Sequence, residues 1–506
     1  MPLPDRVLAQ LAPEPSRHGT PWADVPEASF ADWGWQQRHR ITDLDGLEGV
    51  LRLDAREQRG LARTKGLFRF GISPYYALLA DRSDPDCPMR RQMLPSEEER
   101  FIRWGERADP LGEESREVVP NLVHRYPDRV LLLATDRCPV YCRFCTRRRI
   151  VGRVERQAPR ALLAEAFDYI RAHPELREVI VSGGDALMMG DKQLDYILGE
   201  IRRAPHVEVV RIATRMPVTC PMRVTDALAE TLARHGPVYV LTHFNHPREC
   251  TPSAAMAVDR LLKAGLPVWN QAVLLRGVND DLGTLELLLR RLVAMRAVPY
   301  YLHQCDLAEG IEHFRTPLQT GIELIEQLRG RVSGLMIPKL CVDVPGGLGK
   351  VTVQPDWIVR REGGSTFFRT YTGEIGEYVD PTAASAPPCP PGGRLTAAPS
   401  TPSVRRHDEG GADRASSEGC GQGSIEAGAR RPGGRDLRAH RQSGEAQEAL
   451  LLPGLRDVSP AEAGRADRPE PEDERRGPDP RPQDRRLQAR AQPEEQPLRS
   501  WSPPGS

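Results

Sequence analysis

The chain has no surplus of either charge: 70 Lys and Arg residues balance 70 Asp and Glu over 506 positions. A basic excess would point to nucleic acid and an acidic excess to a solvating tail, so neither class of partner is indicated. Apolar runs long enough to span a bilayer are missing as well. The N-terminal stretch MPLPDRVLAQLAPEPSRHG lacks the basic segment and apolar run of a secretory leader. These absences predict a cytoplasmic protein acting on a small molecule, with no nucleic-acid and no membrane partner. The ten cysteines are sparse and form only one tight cluster. A short, evenly stapled disulfide scaffold is thereby excluded, and reduced thiols with one functional group of three are expected.

What is present falls into three parts. Residues 1–115 read as a mostly helical N-terminal region, with WGWQQRHR at Trp33–Arg40 and a charged, helical-looking stretch at Ser96–Arg107. From Arg129 short β-branched or apolar runs alternate with segments of helical period. The runs cover residues 130–135, 178–183, 207–214, 237–244, 267–275 and 298–304. Six such units predict an α/β fold across residues 116–380, a parallel sheet curled into a partial (β/α)6 barrel with chemistry at the C-terminal strand ends. Residues 381–506 turn to Pro, Gly, Arg, Ser and Glu with almost no aromatic or β-branched side chains. Such a composition predicts disorder. Its abrupt onset, with no recognisable module following, favours out-of-frame translation of a GC-rich gene over a natural linker.

Cys138, Cys142 and Cys145 form C-x3-C-x2-C directly after the first predicted strand. Three thiolates on one loop can hold three irons of a [4Fe–4S] cube and leave the fourth iron open. A zinc loop is the alternative, although no fourth Cys or His follows at a usual zinc spacing. At the ends of later strands stand Ser182-Gly183-Gly184-Asp185, Thr214-Arg215, His243 and Asn270-Gln271. The glycines there allow a close backbone approach to a ligand, and Asp185 adds a polar anchor. VDVPGGLGKVTVQP places Lys350 after three glycines and a proline. A phosphate-binding P-loop fails here, because Val344 and Val351 stand where its first glycine and its hydroxyl belong. On this motif alone Lys350 reads as a surface lysine after a glycine turn.

Longer segments alter that reading. HRYPDR (124–129), the cysteine loop with its trailing TRRR, SGGDAL, THFNHP, NQAVLLRGVND, YLHQCD and VDVPGGLGK together resemble the lysine 2,3-aminomutase family of the radical S-adenosylmethionine superfamily. The resemblance runs from Trp33 to about Asp356. It implies that Cys138, Cys142 and Cys145 bind the cluster. Ser182, Gly183, Gly184, Asp185, Arg215, Gln271 and, with less support, His243 would contact S-adenosylmethionine. Lys350 would carry pyridoxal 5′-phosphate through its ε-amino group, with Arg125 and Arg129 on the phosphate and Tyr126 against the ring. Two departures stand out: His303 replaces a tyrosine frequent in the family, and Phe144 a histidine.

By the same resemblance Arg147 would hold the substrate α-carboxylate, while Asp306 and Asp343 would bind the ε-ammonium of lysine. The implied activity is a lysine 2,3-aminomutase reaction, an isomerisation through a 5′-deoxyadenosyl radical with pyridoxal phosphate carrying the migrating amino group. Two acidic groups disfavour a glutamate substrate; arginine, or β-lysine formation for translation-factor modification, would keep them. A non-catalytic iron–sulfur or zinc module is the alternative outside enzymes. A free amino acid as substrate, a one-electron donor such as flavodoxin or ferredoxin, and a homo-oligomer complete the expectation.

Overall fold

The computed structural model describes residues 3–381. The predicted tail, residues 382–506, lies outside the described residues. Ten strands form one sheet in strict sequence order. They are β1 (Glu117–Val119), β2 (Leu122–Tyr126), β3 (Arg129–Thr135), β4 (Glu178–Gly183), β5 (Val209–Ala213), β6 (Val238–Thr242), β7 (Val268–Leu274), β8 (Val298–Gln304), β9 (Lys339–Val344) and β10 (Gly349–Val353). β3 to β9 run parallel, while β1, β2 and β10 pair antiparallel at the two edges. The six expected strands are β3 to β8, and β9 adds a seventh to the parallel array. The order is open, so the barrel is partial.

Helices α1 (Arg160–Ala172), α2 (Asp191–Arg202), α3 (Asp226–Ala233), α4 (Pro252–Lys263), α5 (Leu282–Ala294) and α6 (Leu318–Leu328) connect the parallel strands. In α2 the buried residues are Leu194, Ile197, Leu198 and Ile201, and in α5 they are Leu285, Leu288, Leu289 and Leu292. This i, i+3, i+4, i+7 stripe turns one face of each helix onto the sheet. Each fully buried leucine contributes about 1.5–3 kcal/mol of transfer free energy. Thr225, Thr251 and Asp281 cap the N-termini of α3, α4 and α5 by accepting from Leu228, Ala254 and Thr284 N–H. Among the described residues no helix is long and apolar enough to cross a membrane.

Two regions differ from expectation. Ser96–Arg107 is not a helix. Ser96 caps a single 3-10 turn, Glu97–Arg100, and the backbone is extended by Phe101. The reason is tertiary, because Glu99 turns inward to pair with two arginines of the cysteine loop. Near the end of the described chain, Ile358–Glu362, Ser365–Arg369 and Ile375–Val379 (β11–β13) form a separate antiparallel sheet. Its side chains are largely exposed, so no hydrophobic alternation marks it in the sequence.

The N-terminal region, built of short helices, clamps the loop after β3. Arg143 is fully buried and donates from Nε and Nη2 to Glu99 at 2.9 and 2.5 Å, while Nη1 donates to Arg69 O at 2.8 Å. Arg148 adds a bond to the same carboxylate at 2.6 Å. Burial works against the charge on Glu99, but the two guanidiniums outweigh it and hold the carboxyl below its ordinary range. Glu99→Ala would leave buried arginines unpaired and should cost about 3–5 kcal/mol. Urea denaturation with and without the substitution checks this, and a loss under about 1 kcal/mol would remove the clamp from the account.

Candidate active site

The C-terminal ends of β3 to β7 surround a cavity of about 210 Å³. Cys138, Cys142 and Cys145 line it together with Ser182, Gly183, Gly184, Asp185, Arg215, His243, Gln271, Arg147 and Asp306. All the residues expected at the cluster and at S-adenosylmethionine therefore meet in one place. Burial pushes the Cys138 thiol well up and the Cys145 thiol to about 11. A cation must displace those protons on binding, as metal–thiolate sites require. Among the described residues no three Cys, His, Asp or Glu side chains converge on a point suited to a single metal ion. Three thiols on one loop lining a cavity fit a cluster that keeps one iron open to a ligand there.

The roles inside the cavity are more specific than residue type suggests. A Cβ on Gly183 would fall 2.2 Å from Thr135 O, and one on Gly184 2.4 Å from Arg137 O. Gly184 and Asp185 N–H donate to those two carbonyls at 2.6 and 2.8 Å. These glycines let the end of β4 lock onto the start of the cysteine loop; the close approach is to backbone, where the sequence suggested a ligand. Asp185 accepts from Leu187 N–H, Thr214 Oγ1 and Arg215 N–H at 3.0, 2.6 and 2.7 Å. It thus pins the ends of β4 and β5 together.

Arg215 is buried and almost fully engaged. It donates to His243 O at 3.1 Å, Tyr76 Oη at 3.0 Å, Gln92 Oε1 at 2.7 Å and Glu249 Oε1 at 2.7 Å, and Nη1 lies 2.8 Å from Cys142 Sγ. Glu249, which the sequence reading did not single out, is the carboxylate that balances it. Arg147 is likewise gripped by a residue the sequence did not reveal. Its Nε donates to Glu113 at 2.9 and 3.1 Å and Nη2 at 2.7 Å, while Nη1 faces Ser182 Oγ at 3.4 Å. Glu113 is buried, and no motif links it to a guanidinium 34 residues away.

A second group lies at the β9–β10 hairpin. Lys350 and Asp343 are direct cross-strand partners, and Lys350 Nζ donates to Asp343 Oδ2. Arg125 Nη2 reaches the other oxygen of Asp343 at 3.1 Å, and His303 Nδ1 stands 4.0 Å away. Burial raises the Asp343 carboxyl, but Lys350, His303 and Arg125 overcome it and leave the group below its ordinary range. Tyr126 lies between Arg125 and Arg129, whose guanidinium carbons sit 4.9 and 4.8 Å from its ring centre. The Tyr126 hydroxyl accepts from Lys350 N–H at 2.9 Å. Gly349, at φ +103°, brings the hairpin backbone to that ring. A lysine amine, two phosphate-suited guanidiniums and an aromatic face fit a phosphorylated aldehyde cofactor. Arg129 is meanwhile paired with Asp128 at 2.9 Å.

The two groups share one electrostatic environment. Burial depresses His243 to about 3, with Arg215, His303 and Lys350 acting in the same direction. His303 falls to about 3 for the same first reason, so both imidazoles are neutral at pH 7. Asp306, held by Thr146 Oγ1 at 2.8 Å, is raised to about 6 by burial and by the charge on Asp343.

A profile described as the radical SAM superfamily matches residues 132–288, and one described as lysine-2,3-aminomutase matches residues 325–401. The fold and the cysteine cavity are thus those of a radical S-adenosylmethionine enzyme, a class that carries a [4Fe–4S] cluster and S-adenosylmethionine. The chain is 44% identical over 371 residues to L-lysine 2,3-aminomutase of Bacillus subtilis, covering 73% of this chain and 79% of that one. It is 45% identical to L-lysine 2,3-aminomutase of Clostridium subterminale over 71% of this chain and 86% of that protein. Glutamate 2,3-aminomutase of Clostridioides difficile is 38% identical over 71% and 84% of the two chains. The protein belongs to the lysine 2,3-aminomutase family, and it is an isomerase.

The raised Asp306 carboxyl makes stability depend on pH. Its proton is held more tightly in the folded state than in the unfolded chain, where an aspartate titrates near 3.9. The resulting contribution is fully present below about pH 4 and is lost as pH rises through about 6. Asp306→Asn should therefore gain on the wild type by up to about 3 kcal/mol between pH 4 and 7. Denaturation midpoints across that range test the sign, and a constant difference would refute it.

Proposed function

We propose that this chain interconverts L-lysine and L-β-lysine, with pyridoxal 5′-phosphate on Lys350. The observation that carries the substrate is the pair Asp306 and Asp343, two carboxylates near Lys350, of which Asp343 is paired with that lysine and close enough to raise Asp306. Such a pair attracts a cationic side chain and repels the side-chain carboxylate of glutamate, which matters because a glutamate enzyme stands among the relatives.

When bound, the cluster with S-adenosylmethionine supplies a primary carbon radical, and pyridoxal phosphate carries the migrating amino group. The chain's own residues do the rest by holding and shielding. Cys138, Cys142 and Cys145 bind the cluster; Ser182, Gln271 and His243, with the backbone at Gly183 and Gly184, shape the wall where S-adenosylmethionine sits. Asp185 and Arg215 fix that wall, and Arg215 also faces the sulfur of Cys142. Arg125, Arg129 and Tyr126 surround the phosphate and ring. Arg147 takes the substrate carboxylate on the edge that Glu113 leaves open. Asp343, paired with Lys350 in this structure, would join Asp306 in holding the substrate ammonium. Neutral His243 and His303 add no competing cation there.

A one-electron donor such as flavodoxin or ferredoxin belongs to this reading, as does a homo-oligomeric enzyme. Anaerobic incubation with S-adenosylmethionine, a reductant and lysine, arginine or glutamate tests it by product analysis. β-Lysine should be the principal product, and preferential turnover of arginine or glutamate would overturn the substrate. Borohydride treatment of the protein reconstituted with pyridoxal phosphate should label Lys350; a label on another lysine would move the cofactor. Asp306→Asn should lower kcat/KM for lysine by roughly 10²–10⁴, the cost of removing one partner of a buried charge pair.

A further inference from the structure

A second cavity, of about 270 Å³, shares no lining residue with the cluster cavity. It lies between the helix Pro88–Met93, the segment Leu94–Glu98 that follows it, and the turn Glu312–Phe314 after β8. Arg91 and His313 both line it, and both are left with unused polar atoms. Arg91 Nε is buried without a hydrogen-bond partner, as are Nδ1 and Nε2 of His313. An orphaned buried donor or acceptor typically costs about 1–3 kcal/mol, so two residues lining one cavity carry three polar atoms that a small turn of either side chain would let a ligand satisfy.

The chemistry of the lining says which kind. Among the described residues no carboxylate is ion-paired with the Arg91 guanidinium, even though Glu57 and Glu98 also line the cavity, whereas Arg90, Arg143, Arg148 and Arg215 each have one. Asp86 and Asp280 act on it only from further away, against Arg56 and Arg276. The guanidinium is also fixed in place, because it packs over the backbone of Gly277, where a Cβ would fall 2.9 Å from it. Burial holds His313 at about 4, so its ring is neutral and offers one N–H donor and one acceptor. Of the remaining cations, Arg90 is committed to Glu57, and Arg56 reaches Asp86 at 3.0 Å from the rim.

We propose that this cavity binds a small oxyanion, a phosphate or a carboxylate, which accepts from Arg91 and from the N–H of His313. A guanidinium short of a counter-charge beside an orphaned imidazole matches such a ligand in charge and donor number. The location has a structural consequence. Ser96 and Glu98, which line the cavity, flank Glu99, the carboxylate that holds Arg143 and Arg148. Phe314, also in the lining, meets Phe144 of the cysteine loop at 6.1 Å between ring centres.

Calorimetric titration of the full chain with inorganic phosphate and, separately, with succinate, at fixed ionic strength, tests the site. At least one should bind. Arg91→Gln should weaken that binding by about tenfold to a hundredfold, the worth of one charge-assisted hydrogen bond. His313→Gln serves as a second variant and should weaken it in the same direction. Arg125→Gln, which alters the group at the β9–β10 hairpin, should leave the Arg91-dependent binding step unchanged, whatever phosphate the hairpin itself takes up. No binding of either probe, equal binding in Arg91→Gln and His313→Gln, or loss in Arg125→Gln alone would overturn the proposal. The last of these would place the anion at the Lys350 group, and none of the outcomes depends on turnover of lysine.

Discussion

Everything at the cluster end of the molecule depends on one buried carboxylate. Glu99 neutralises Arg143 inside the cysteine loop and Arg148 just beyond it, and it comes from the N-terminal region, outside the sheet. The loop that presents the three thiols to the cavity is neither helix nor strand, so its shape has to be imposed. Backbone bonds from Gly184 and Asp185 impose it on one side, and Glu99 with Arg40 on the other. Arg40 donates to Cys138 O at 2.8 Å and pairs with Glu155, which also accepts from Tyr141. Ionic and hydrogen-bonded contacts suit this task because they fix direction as well as distance.

The hairpin at the far edge solves a different problem. Its turn places Lys350 opposite Asp343, so an antiparallel pairing two residues from the bend delivers the ion pair without help from elsewhere. Asp343 keeps the lysine from standing as an unpaired charge there, and Arg125 on its other oxygen balances the carboxylate further. Asp306 lacks such a partner cation, and its raised affinity for protons expresses that difference.

Much of this was legible in the residues, and the pattern of what was not is informative. The helices α2 and α5 announce themselves because their buried positions repeat with helical period. The cysteine loop and SGGD are local strings that line one cavity, while Lys350, also a local string, stands in the second group at the β9–β10 hairpin. Glu113 and Glu249 were invisible, since each meets its arginine 34 residues along the chain and is otherwise an ordinary acidic residue. The second task of Gly183 and Gly184, their close approach to the backbone at Thr135 and Arg137, was hidden for a related reason: a missing Cβ signals closeness but not to what. Ser96–Arg107 has helical composition, yet Glu99 turns inward and the chain follows it.

The sheet is laid down in sequence order, each strand beside its predecessor. The N-terminal region is not. Ser73 donates to Thr219 O at 2.5 Å, Tyr76 to Glu249 at 2.8 Å, and Tyr75 pairs with Thr251 at 2.5 Å, all of them buried. These three contacts therefore wait on partners 146 to 176 residues further along the chain, and they close only after the strands made in between. The part of the molecule that shapes the cysteine loop is thus itself held in place by contacts of long sequence separation, the kind that form late in folding.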